Sequence, residues 1–202
     1  MSEATTPDGP RPKRDLRSLV KDRRVVVLIV VLVVVVGGLL VVSTAGGDSD
    51  AERSEAALEE GLEAHAAGDL AAAEEAYDRA IQLDPQNQFA YYNLGVIRQT
   101  RGNLADAESN YRIAIGIDPD FEGALFNLAI LRTQAGAADE AIDLYEHIVE
   151  VNPQHAAAHL NLGFLLIEEG DETRGQAELD EAVRLDPTLE DRIAPESPAD
   201  NP

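Results

Sequence analysis

The chain contains no cysteine. That excludes disulfides, thiolate metal sites and lipid attachment through sulfur, and leaves the redox compartment open. Lysine occurs only at Lys13 and Lys21. Basic charge is scarce altogether, with 16 Lys+Arg against 38 Asp+Glu and a net charge of -22. It is also unevenly placed. Residues 1–24 hold 7 of those basic residues and 4 of the acidic ones, a net of +3, which leaves 9 basic against 34 acidic, or -25, for the remainder. A domain of that charge repels nucleic acid, so no nucleic-acid partner is expected. It favours basic or cationic partners, and serves equally as an adaptation to solubility or high salt. Catalytic signatures are missing too: there is no Gly-rich phosphate loop, nucleophile elbow, zinc-protease helix motif or cysteine nucleophile. The many carboxylates read as a solvated face, so we expect no enzyme, no cofactor and no metal.

One long apolar run is present. Val25 to Val42 reads VVVLIVVLVVVVGGLLVV, 18 residues of Val, Leu and Ile broken only by Gly37 and Gly38. At about 1.5 Å per residue it spans roughly 27 Å, close to a bilayer's hydrocarbon core. A lone segment in lipid must satisfy its own backbone, so helix is expected despite the valines. Arg11, Lys13, Arg14, Arg17, Lys21, Arg23 and Arg24 precede the run, and Arg53 follows it amid acids. The excess of basic residues keeps the N-terminus cytoplasmic and exports the rest. Ser43-Thr44-Ala45 offers a cleavage site, but the run exceeds an ordinary signal-peptide core, so an uncleaved anchor is expected. Val, Ala and Arg dominance with little Lys suggests a high-GC bacterium and its cell membrane. The organisation expected is a disordered basic tail (1–24), a transmembrane helix (25–42), a linker (43–53), a repeat domain (54–189) and a disordered tail (190–202).

The repeat is read from four prolines, Pro85, Pro119, Pro153 and Pro187, spaced by 34 residues and each preceded by Asp or Asn. Other columns share the register: Gly61, Gly95, Ala129 and Gly163; Gly68, Gly102, Gly136 and Gly170; Ala73, Ala107, Ala141 and Gly175; Tyr77, Tyr111, Tyr145 and Leu179. Within each unit apolar residues recur at three and four, one face of a helix. The second glycine column splits each unit into two helices, and Asp-Pro or Asn-Pro ends the second. One such hairpin cannot bury its apolar face alone, whereas four stacked can. On these columns residues 54–189 resemble the tetratricopeptide repeat (TPR) family. The expected fold is an all-α solenoid of four 34-residue helical hairpins (54–87, 88–121, 122–155, 156–189). Glu60, standing where Leu94, Leu128 and Leu162 stand later, marks a polar first cap. After Pro187 only residues 188–194 are free to form helix, so the last face, around Phe164 and Leu179, is expected to be exposed or used for self-association.

The resemblance implies a binding groove on the concave face. Asn93, Asn127 and Asn161 form one column, occupied by Glu59 in the first repeat; in similar arrays such amides grip a peptide backbone, since an amide both donates and accepts. Against that stands the reading of Asn as a plain polar surface choice. Beside it run Tyr92, Phe126 and Leu160, then Val96, Ile130 and Phe164, with Phe89 one turn before Tyr92. Aromatic anchors with few charges suit an apolar or amphipathic peptide, and partial burial between helices is the alternative. Without lysine the basic clamp of chaperone-binding relatives is not evident; Arg98 and Arg132 are expected to pair with nearby acids. His155 and His159, spaced i, i+4, lack a third ligand and read as surface or packing residues. The function expected is a membrane-anchored adaptor or scaffold binding a peptide or protein segment. The alternatives are a self-associating structural protein and an accessory subunit of an envelope enzyme or assembly machinery.

Overall fold

The computed structural model describes residues 49–193. The tail 1–24, the run Val25–Val42, most of the linker and residues 194–202 lie outside the described residues. Among the described residues no helix is long and apolar enough to cross a membrane. They form eight helices in four hairpins: α1 (Asp50–Ala66) with α2 (Leu70–Leu83), α3 (Gln88–Thr100) with α4 (Leu104–Ile117), α5 (Glu122–Gln134) with α6 (Ala138–Val151), and α7 (Ala156–Glu168) with α8 (Glu172–Leu185). A 3-10 turn, Pro187–Leu189, and a single helical turn, α9 (Glu190–Ile193), complete the chain described.

Each hairpin bends at a glycine that adopts a left-handed conformation, Gly68, Gly102, Gly136 and Gly170, with φ between 73° and 93°. A Cβ is strained there, which is why this column holds glycine throughout. Each second helix stops because the residue before proline turns extended. The Asp or Asn at that place has a further task. Its Oδ1 accepts the backbone N–H two residues on, Asp84 from Gln86 at 2.9 Å, Asp118 from Asp120 at 3.2 Å, Asn152 from Gln154 at 3.1 Å and Asp186 from Thr188 at 3.0 Å. Proline breaks the helix, and the side chain before it satisfies the first donor beyond the break.

The core is shared between neighbours. Tyr77 and Ala80 of α2 pack with Ala90, Leu94 and Ile97 of α3; Tyr111 and Ala114 of α4 with Ala124, Leu128 and Leu131 of α5; Tyr145 and Ile148 of α6 with Ala158, Leu162 and Leu165 of α7. Every hairpin therefore completes the core of the one before it, and stability propagates by nearest neighbours.

Three expectations need correction. Residues 50–53 are the first turn of α1 rather than linker, because Ser49 and Glu52 close a reciprocal cap: the Ser49 Oγ accepts Glu52 N–H and the Glu52 carboxylate accepts Ser49 N–H. Residues 190–193 are helical rather than tail. Leu179 is 3% exposed, since Leu189 and Ile193 fold back over it together with Leu160 and Ala182. Phe164, by contrast, stays exposed.

Candidate functional site

The first helices of the hairpins carry the residues singled out above. Phe89 is 48% and Phe164 41% exposed, while Tyr92, Val96, Phe126 and Ile130 are half-buried. The aromatics form two clusters. Phe121 contacts Phe89 at 5.3 Å and Tyr92 at 5.1 Å between ring centroids, both edge to face. Phe126 meets Tyr145 edge to face at 5.8 Å and stacks on His155 at 5.0 Å. Leu160 is the exception. At 1% exposed it packs into the end cluster with Leu179 and Ala182, so it is core rather than groove lining.

The asparagines do not form a row of free amides. Asn127 Nδ2 donates to Tyr111 Oη at 3.4 Å and to Tyr92 Oη at 3.5 Å. Asn161 Nδ2 donates to Tyr145 Oη at 3.2 Å. Both amides thus hold up buried tyrosines of the preceding hairpin, a support role the water-facing reading did not assign them. Asn93 breaks the pattern: its Nδ2 turns back to the Phe89 carbonyl at 2.7 Å, and the buried Tyr77 hydroxyl that it would otherwise meet has no partner among the described residues. Burial raises the Tyr145 pKa against the opposing hydrogen bonds from Asn161 and Thr133. It pushes the Tyr111 pKa up further, helped by Tyr92 and opposed by Asn127. These phenols stay neutral and act as donors and acceptors.

Between α5 and α7 lies a cavity of ≈ 260 Å³, lined by Ile130, Thr133, Gln134, Tyr145, Asn161, Phe164, Leu165 and Glu168. It brings Ile130, Asn161 and Phe164 together. Thr133, Gln134, Tyr145, Leu165 and Glu168 are the lining residues that sequence reasoning missed. Glu168 was findable, since it follows Phe164 by one helical turn and so shares its face.

The family described as the cilia and flagella-associated protein 70 middle TPR-like domain matches residues 58–186. The chain belongs to that family. Among solved structures, the TPR-like array is similar to MamA, at 22% identity and a TM-score of 0.60 over 67% of this chain and 79% of that one. It is also similar to a tetratricopeptide repeat protein from Parabacteroides merdae, at 26% identity and a TM-score of 0.60 over 67% of this chain and 54% of that one. A third is pilF of Pseudomonas aeruginosa, at 20% identity and a TM-score of 0.60 over 69% and 64%. The chain thus spans about half of the Parabacteroides protein, and its likeness to MamA and pilF is one of fold. Among curated proteins none matches.

The histidines of the TPR-like array do separate work. The His155 ring caps α7, its Nδ1 accepting Ala158 N–H at 3.1 Å. His159 is 7% exposed, with Nδ1 2.6 Å from Glu178 Oε2 and Nε2 3.2 Å from the Pro153 carbonyl, a tie between α7, α8 and the loop before α7. Among the described residues no three His, Asp or Glu side chains gather closely enough to hold a metal. Arg98 pairs with Glu74, and Arg132 with Glu108 and Glu140. Glu60 is exposed and pairs with Arg79.

Proposed function

We propose that the protein is a membrane-tethered adaptor, in which Val25–Val42 anchors the chain and the first-helix face of the TPR-like array, outside the cytoplasm, binds a peptide or protein segment. The reading is of binding rather than catalysis. One observation carries it: large apolar side chains, Leu62, Phe89 and Phe164, stand exposed on first helices, which also carry the half-buried Tyr92, Phe126 and Ile130. Large apolar side chains left in water are costly and are what an interface uses as anchors. With Nδ2 committed internally, each groove asparagine still offers its Oδ1, which accepts from no donor among the described residues, to the N–H of an extended chain. The anchor is supported by the length of the apolar run and the topology by the basic residues before it.

A photo-crosslinking residue placed at Phe89 or Phe164 in cells should yield a discrete adduct, and the same residue at Ile113 or Val151, equally exposed but on second helices, should not. Equal labelling from both faces would overturn the groove. Protease added to spheroplasts should digest the array; protection until lysis would overturn the topology.

A further inference from the structure

We infer that the cavity between α5 and α7 receives an arginine or lysine side chain of the bound segment, its aliphatic stem against Phe164 and its charged head at Glu168. This rests on the groove reading above and specifies what one place along the groove accepts. The cavity, at ≈ 260 Å³, falls below the roughly 300–1,000 Å³ of small-molecule sites, so it suits one inserted side chain rather than a cofactor. Ile130, Phe164 and Leu165 give it apolar walls. Its floor is already satisfied, since the Tyr145 hydroxyl is bonded to Asn161. Glu168 is the charge left over. It is exposed at the rim and has no ionic partner among the described residues.

An apolar wall ending in a carboxylate complements a side chain with a methylene stem and a cationic end, and the Phe164 ring adds attraction for the cation. A wholly apolar occupant would strip water from Glu168 and give nothing back, and an acidic one would meet like charge. The surroundings point the same way. Each arginine from Arg53 to Arg184 already has a carboxylate partner, and the described residues contain no lysine. None of the arginines of α1 to α8 is therefore spare to fill the cavity, Arg192 on α9 is not among its lining residues, and the surplus negative field draws in cations.

The test is to pan random 12-residue displayed peptides against the full-length chain in detergent micelles. Binders should share an arginine or lysine. Replacing that arginine by citrulline, or that lysine by norleucine, should weaken binding about 10-fold, the scale of a charge-assisted hydrogen bond. Glu168→Gln should weaken the parent peptide similarly and abolish the difference between charged and neutral peptides. Glu75→Gln on α2, the same loss of charge far from the cavity, should change affinity less than about 2-fold, the scale of an exposed charge. Binders without a shared basic residue, or equal losses from the two Glu→Gln variants, would overturn the cavity assignment and leave the groove standing. Binders indifferent to Phe126→Ala and Phe164→Ala, or no binders at all, would overturn the groove and the inference with it.

Discussion

The hairpins α3–α4 and α7–α8 occupy equivalent places in the repeat and solve the same packing problem differently. In α3–α4 the helices are held apart by the Tyr111 ring, and a Cβ on Gly95 would strike that ring, with Cε1 at 2.5 Å. In α7–α8 the filler is Leu179, and a second glycine, Gly175, stands where the other hairpins have alanine. A Cβ on Gly163 would meet Leu179 Cδ2 at 2.7 Å and also the Gly175 carbonyl oxygen at 2.8 Å, and one on Gly175 would lie 2.7 Å from the Gly163 carbonyl oxygen. Both hairpins have a side-chain filler, but only α7–α8 also brings backbone against backbone. The aromatic solution also carries an obligation. The Tyr111 hydroxyl donates to Gln99 Oε1 at 2.7 Å and accepts from Asn127, whereas Leu179 needs no partner.

The largest effect is expected from emptying the fillers. Tyr111→Ala should cost about 4 kcal/mol and Leu179→Ala about 3 kcal/mol in denaturant melts, because each leaves a cavity in a closed core. A clearly smaller cost at Tyr111 would mean that α3–α4 can close to the backbone approach already present in α7–α8. Next come the glycines. Gly163→Ala should cost about 2 kcal/mol by overpacking and keep part of that cost in a Leu179→Ala background, since the Gly175 carbonyl remains. Gly95→Ala should instead couple to Tyr111→Leu by about 1 kcal/mol or more, because the obstacle is the ring itself. Equal coupling in both hairpins would erase the distinction.

Asn127→Ala should cost about 1 kcal/mol by stripping a partner from the Tyr111 hydroxyl. Asn93→Ala should cost less, the Tyr77 hydroxyl being unpartnered already; the reverse order in thermal melts would show that Asn93 turns to Tyr77 in solution. The smallest effect at neutral pH is protonic. Burial raises the Tyr111 pKa, so the folded state holds that proton more tightly than the unfolded one. Its contribution is fully present below about pH 10 and is lost as pH climbs beyond it. Tyr111→Phe should therefore move the alkaline midpoint of far-ultraviolet ellipticity upward. An unmoved midpoint would place the alkaline loss at Tyr77 or Tyr145, both also raised by burial.

The fold was legible because the period fixes it: proline and glycine at fixed offsets dictate where each helix ends, and the backbone has little alternative. The site was legible only by column, and columns assume that every hairpin is alike. Leu160 stands with Tyr92 and Phe126 in the sequence, yet it is buried in a cluster with Leu179 and Ala182 that Leu189 and Ile193 cover. Asn127 and Asn161 looked free because their partners lie 16 residues away in a neighbouring hairpin. The recurrence of Tyr followed by Asn at that distance was nevertheless there to be read. Residues 50–53 looked like linker because their acids were counted as charge, when Glu52 serves as half of a cap.

The single turn α9 gives the array a stopper. Leu189 and Ile193 lie over Leu160 and Leu179, where a further hairpin or the first helix of another copy would have to dock. Anything that docks on that face must first pry the stopper loose, a local opening of the two residues that cover it. Shortening the chain before Leu189 would uncover Leu160 and Leu179, so the last few described residues serve as a lid on the core.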